Sequence, residues 1–309
     1  MEQAWESPKV YHQVQMRRMR TSALFALFAG AACIALSPIW VRVADVGPTA
    51  SAFWRVCLAV PLLWTLFAFN SKGRKNLDKS QFIPLFAAGT AFAGDLAFWH
   101  WSIQYTSVAN STLLANLASI FVTLAAWLLW KQRPSALFLA GLAAALLGVA
   151  LLVQSSLAGF SRPSPTALLG DGLGVVTAIF YAWYLLSVKS LRDRGAGTLQ
   201  LMAVTTTLTA AILLPVALAS GEALLPASAA GWLTLLGLAW ISHAAGQGLI
   251  AHALAHLPAG FTSVGLLLQP VIAALFAWTL LGEALAALQI AGGAIVLAGI
   301  YLARRASSQ

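Results

Sequence analysis

Charge is what this sequence has least of. Only nine per cent of its 309 residues are Asp, Glu, Lys or Arg, against sixty per cent hydrophobic, whereas a soluble domain carries about a quarter charged residues. So few charges cannot cover a water-facing surface, and most of the surface must face lipid. Almost nothing is left outside the apolar runs, which excludes an appended soluble domain. Two cysteines, Cys33 and Cys57, both fall inside apolar runs; a disulfide framework is absent and both read as small core residues.

Chemical motifs are also scarce. No Gly-x-Ser-x-Gly elbow and no paired carboxylates occur. Gly170-Asp171-Gly172-Leu173-Gly174 lacks the Gly-Lys-Ser/Thr ending of a phosphate loop and follows no strand. His252 and His256 stand at i and i+4, a metal-compatible spacing, but no Glu follows His252 and no third ligand is evident. The sequence therefore predicts neither a metal nor a cofactor, and a protein that is not an enzyme.

What is present is a series of apolar runs. A bilayer core requires about 20 consecutive apolar residues per helix. Ten stretches qualify, at 22–41, 47–69, 82–104, 107–130, 135–154, 168–190, 197–219, 229–252, 258–281 and 285–303. The net charge of +9 resembles a nucleic-acid signal, but its placement follows topology. With the N-terminus inside, the inside segments hold fifteen of the eighteen basic residues, including Lys72, Arg74, Lys75, Lys131, Arg133, Arg194, Arg304 and Arg305. Outside loops keep Arg42 and Arg162, and Arg55 lies within the second span. The positive-inside rule then gives cytoplasmic N- and C-termini, a lipid partner and no nucleic-acid partner. Residues 1–21 are too long, and too acidic at Glu2 and Glu6, for a typical signal n-region, so the first apolar run is expected to be retained.

The long polar, turn-rich connection, 155–166, lies at the midpoint and reads as a linker. A shift of 151 residues brings Trp127, Gly141 and Gly148 onto Trp278, Gly292 and Gly299. This predicts two related halves, 22–154 and 167–305, behind a cytoplasmic segment 1–21. Five spans per half is odd, so the second half enters the membrane inverted, a plan that puts a transporter's site near the midplane between the halves. The matched glycines read as packing positions, where small residues let helices approach in lipid.

Polar side chains inside spans are site candidates because burying them in lipid is costly. Asp95 lies mid-span; at about 100° per residue it shares a face with Trp99 and Ser102, while His100 points away. A carboxylate beside an indole suits an ammonium group; a buried Asp joining helices is the plainer alternative. Thr112, Asn116, Ser119, Thr123 and Trp127 recur every three or four residues and read as one wet cavity wall. Thr177, Tyr181 and Tyr184 share a face of the sixth span, as Trp240, His243 and Gln247 do in the eighth. Tyr184 suits a membrane interface, whereas Tyr181 and Gln247 lie deeper. Gln269-Pro270 falls mid-span in the ninth, where proline should open the helix.

The order of these features resembles the EamA-type branch of the drug/metabolite transporter superfamily. The likeness rests on Gly94–Trp101, Tyr105–Asn116, Gly246–Leu254, Leu267–Val271 and the pair Gly282-Glu283. Ser119 stands where that family often has proline, and Lys131-Gln132 replaces a usual Gly-Glu pair. The first half is therefore expected to be less kinked. The resemblance implies a secondary exporter of small metabolites, including YddG-like exporters of aromatic and other amino acids. With no basic residue other than Arg55 at depth, an amino acid or an organic cation suits the spans better than a phosphorylated substrate.

The expectation is thus an all-α protein of ten spans in two inverted repeats, exporting small metabolites, amino acids first among them, from the bacterial inner membrane by alternating access. The alternative is a multidrug or organic-cation exporter. Substrate contacts are expected from Asp95, Trp99, Thr112, Asn116, Ser119, Tyr181, Gln247 and Gln269. Oligomeric state is left open, a monomer included.

Overall fold

Apolar runs of this length must satisfy every backbone N–H and C=O internally, and in lipid that means helix. The computed structural model describes residues 8–70, 78–106, 108–157, 165–282 and 286–307. Among them are ten helical spans long and apolar enough to cross a membrane: Met19–Val43, Pro48–Phe69, Lys79–Tyr105, Asn110–Trp130 and Ala136–Gln154 in the first half. Leu168–Asp193, Thr198–Ala219, Ala229–Ala253, Ala259–Leu280 and Ala287–Ser307 make up the second. No strand occurs among the described residues.

Helix reaches beyond the sequence-predicted limits at several places. The first helix begins at Pro8, running straight out of the N-terminal segment. The fifth helix continues to Leu157 and the sixth begins at Pro165, so both ends of the expected linker are helical. The middle of that linker, residues 158–164, lies outside the described residues, as do Lys72, Arg74, Lys75, Ser107, Arg162 and Glu283.

The packing obeys the duplication. Span 3 packs on span 6, and span 8 on span 1, which is the same pairing with the halves exchanged. Spans 2 and 7, 4 and 9, and 5 and 10 pair with their own counterparts. The pairing of spans 5 and 10 is the closest. A Cβ on Gly148 would stand 2.6 Å from the Gly292 carbonyl oxygen, and one on Gly292 would stand 2.7 Å from that of Gly148. Gly141 and Gly299 meet in the same reciprocal way, at 2.7 and 2.6 Å. The two helices therefore run antiparallel with backbones in contact, which only glycine permits. That antiparallel crossing of matched helices makes the halves inverted repeats.

Span 4 contradicts the expectation of a less kinked first half. It is interrupted at Asn116–Leu117, between helices Val108–Ala115 and Ala118–Trp130. Span 9 is interrupted within one residue of the matching place, between Ala259–Gly265 and Leu268–Leu281. In both, tight i→i−3 bonds replace the helical pattern, as Leu117 N–H donates to Leu114 O at 3.0 Å and Leu267 N–H to Val264 O at 3.1 Å. Span 9 has Pro270 just after the break. Span 4 uses side chains instead: Asn116 Nδ2 donates to Thr112 O, and Ser119 Oγ to Asn116 O, both at 2.9 Å. Short polar side chains that bond nearby carbonyls offer the backbone an alternative to helix, so proline is not needed.

Span 8 has a different irregularity, a π-helical stretch from Leu238 to Gln247. Such wider turns are rare and concentrate at functional sites. Here the stretch ends on Gln247.

Candidate functional site

Spans 3 and 6 approach closely because Gly94 lies against the Phe180 ring, leaving no room for a Cβ. That contact brings Asp95, one residue further along span 3, and Tyr181, one residue further along span 6, to the same interior space. Span 4 contributes from its interruption and span 9 from its own. The result is a cavity of about 840 Å³, its open mouth included, walled by spans 1, 2, 3, 4, 6, 8 and 9.

All eight residues singled out from the sequence line this one cavity: Asp95, Trp99, Thr112 and Asn116 on the first-half side, with Ser119 beside them, and Tyr181, Gln247 and Gln269 from the second half. Asp95 makes no hydrogen bond to any described residue. Asn116 spends its amide N–H₂ on Thr112 O, which leaves its carbonyl oxygen for the cavity. The Thr112 hydroxyl and the Gln247 carbonyl oxygen are buried without a partner among the described residues. Tyr181 points its hydroxyl at the Gln247 and Gln269 side chains, close enough to interact but without a well-formed hydrogen bond. Buried polar groups normally find partners, so a cluster of them around one cavity is chemistry awaiting a ligand or water.

The polar stripes hold only in part. In span 4, Thr112, Asn116 and Ser119 reach the cavity, but Thr123 Oγ1 donates to Ser119 O at 2.7 Å and Trp127 is 44 % exposed on the outer surface. The tightened turn at Asn116–Leu117 rotates the rest of the helix, so a five-residue wall does not form. In span 8, Trp240 faces outward and donates to Leu58 O at 3.1 Å, while His243 is buried against Thr206 Oγ1 at 2.8 Å. The π-helical turns break the shared face that regular helical spacing would give. Tyr184 is no interface residue: it is buried, its ring 4.7 Å from that of Phe92 and 6.0 Å from that of Tyr181. Ser102 turns from the cavity to donate to Gly170 O at 2.7 Å.

Sequence reasoning left several lining residues off the list. Thr177 shares the Tyr181 face and reaches the cavity, as do Ser37 and Ser263. Their signal was weak, since single hydroxyls in spans usually bond their own helix. Arg55 is different. It was visible as a basic residue deep within a span, and it lines the cavity that holds Asp95. The His252 and His256 rings lie 5.3 Å apart, and no group of three or more His, Cys, Asp or Glu that could hold a metal occurs among the described residues.

Comparison with known proteins places this architecture. The EamA-like transporter family matches twice, over residues 21–154 and 168–305. Solute carrier family 35 also matches, over residues 98–219. An uncharacterized transporter of Archaeoglobus fulgidus is 29% identical over 85% of this chain and 90% of its own length. A probable terminal-alkyne amino-acid exporter of Streptantibioticus cattleyicolor is 26% identical over 74% of this chain and 75% of its own. A probable amino-acid metabolite efflux pump of Salmonella typhimurium is 27% identical, covering 68% and 72% respectively. One crystal structure superposes with a TM-score of 0.76 at 16% identity, over 94% of this chain and 99% of that one, a likeness of fold.

Proposed function

This chain belongs to the EamA-like transporter family, a multi-pass membrane protein that moves a small molecule, and from that premise we propose that it exports amino acids by alternating access. The observation that carries the reading is Asp95: a carboxylate that makes no hydrogen bond among the described residues, in a cavity that also holds Trp99, Tyr181 and three amide side chains. A carboxylate beside an indole attracts an ammonium group by charge and by cation–π contact. Asn116 and Gln269 would hydrogen-bond the polar part, with Thr112, Ser119 and Gln247 beside them, while Trp99 and Tyr181 make apolar walls. Asp95 is also the group able to take a coupling proton. The relatives named a probable terminal-alkyne amino-acid exporter and a probable amino-acid metabolite efflux pump support the cargo class.

Two five-span units, 22–154 and 167–305 joined by 155–166, would then rock against each other around this cavity. The distribution of Lys and Arg favours N- and C-termini on the cytoplasmic side of a bacterial inner membrane, behind the segment 1–21.

A second reading, export of organic cations, draws on the same Asp95–Trp99 wall. Counterflow into proteoliposomes with labelled amino acids and labelled cationic dyes separates the two. Saturable amino-acid exchange supports the first reading; exchange of dyes alone overturns it.

A further inference from the structure

Arg55 is the charged side chain in the cavity that amino-acid export through Asp95 does not use. It is 4 % exposed, it lines the cavity with Asp95, and its Nε has no hydrogen-bond partner among the described residues. The two side chains are close enough to feel each other's charge. Yet among the described residues they form neither a hydrogen bond nor an ion pair. A buried guanidinium without a carboxylate is costly. Had the pair served only to hold spans 2 and 3 together, direct contact would have been the stable arrangement, because uncompensated buried charge is what destabilises.

We propose that Arg55 and Asp95 are the two poles of a zwitterion site, Arg55 taking the α-carboxylate and Asp95 the α-ammonium of one amino acid seated between them. This rests on the amino-acid reading and names the charge pattern of the cargo. A guanidinium presents two parallel N–H donors that match a carboxylate, which Lys does not. With one charge of each sign, the lined cavity is neutral in sum, and a neutral zwitterion keeps that balance where a singly charged molecule would not. Leu96 and Leu185, with the Trp99 and Tyr181 rings, leave an apolar region for the side chain. The proposed cargo is therefore an amino acid with an uncharged side chain.

The test uses the full-length protein in proteoliposomes, preloaded with the best carried of phenylalanine, leucine and threonine. For phenylalanine the competitors are phenethylamine, 3-phenylpropionate and the methyl ester, which remove one charge each. The expected result is competition at least tenfold weaker for all three than for the parent. Arg55→Gln should raise KM for the amino acid at least tenfold while competition by phenethylamine is retained, and Arg55→Lys should recover part of the loss. Because the analogue series is run on the unaltered protein, poor folding of a variant does not obscure the answer. If the amine, the acid or the ester competes as well as the parent, or a folded Arg55→Gln protein keeps KM within twofold, the zwitterion site is overturned while amino-acid export stands. If no amino acid is exchanged at all, the export reading falls and the site with it.

Discussion

Asp45 accepts two hydrogen bonds from Ser228, the backbone N–H at 3.0 Å and the hydroxyl at 2.8 Å, across the boundary between the halves. Ser228 in turn caps the eighth span by accepting from Gly231 N–H at 2.9 Å. A return contact runs the other way. Span 2 starts with Gly47, which has no side chain to cap it, and Pro48, which has no N–H; the free N–H of Ala50 is taken by Glu222 Oε2 at 2.9 Å. Each half thus finishes a helix start in the other. Loss of a helix cap costs about 1 kcal/mol. Glu222→Ala and Ser228→Ala should each lower the melting temperature of the purified protein by a few degrees, whereas Asp45→Asn should cost less than Asp45→Ala. An unchanged melting curve for Glu222→Ala would show that water replaces the carboxylate without loss.

The Gly148–Gly292 approach is stricter. A Cβ at either position meets backbone, not a side chain that can move aside. Overpacking of this kind costs about 1–3 kcal/mol. Gly148→Val or Gly292→Val should broaden the size-exclusion peak in detergent and lower thermal stability. The paired substitution Gly148→Ala/Gly292→Ala should cost less than the sum of its parts, because one helix shift relieves both clashes. Strict additivity in that cycle would count against a shared contact.

Span 4 should tolerate the proline it lacks. Ser119 lies in the first turn of Ala118–Trp130, where its N–H makes only a long 3.3 Å bond to Asn116 O. Proline is accepted in the first helical turn and rejected in the interior. Ser119→Pro should therefore keep stability within about 1 kcal/mol, while Val122→Pro should cost about 3 kcal/mol or more and abolish the folded fraction. Fluorescence-detected size exclusion of the two variants side by side decides the matter.

Asp95→Asn keeps the shape of the side chain and removes its charge. Under the proposed function, counterflow of amino acids should fall at least tenfold with the protein still monodisperse, and dependence on external pH should flatten. Trp99→Leu should weaken exchange less, because it removes the ring but not the ionic partner. Wild-type exchange and pH response in the Asp95→Asn protein would sink the role assigned to that carboxylate.

Span positions were legible in the sequence because the bilayer dictates them: a run such as 135–154 has no stable alternative to a helix, and it became Ala136–Gln154. Matched glycines were legible because duplication preserved their spacing. The cavity residues were legible as polar atoms where lipid tolerates none. What failed was phase. Regular helical periodicity puts Trp127 and Trp240 on the polar faces, and the tightened turn in span 4 and the π-helical stretch in span 8 defeat it; the polar tip of Tyr184 suggests an interface, and nothing in its own helix says that Phe92 covers it. No proline marks the break at Asn116, and residue type alone does not say that side-chain bonds to nearby carbonyls will replace it. Arg55 stands out as a base deep in a span, but one sequence does not reveal which acid shares its cavity.

The glycine crossing of spans 5 and 10 has a consequence for symmetry. Exchanging the halves turns the Gly141–Gly299 contact into the Gly292–Gly148 contact, and the Ala303 N–H facing Gly141 into the Leu152 N–H facing Gly292. An interface unchanged by swapping its two sides is isologous, the kind formed by identical subunits about a twofold axis. A single five-helix unit is therefore already self-complementary along this seam. The seam that joins the halves thus follows the rule of a twofold interface, although one chain supplies both of its sides.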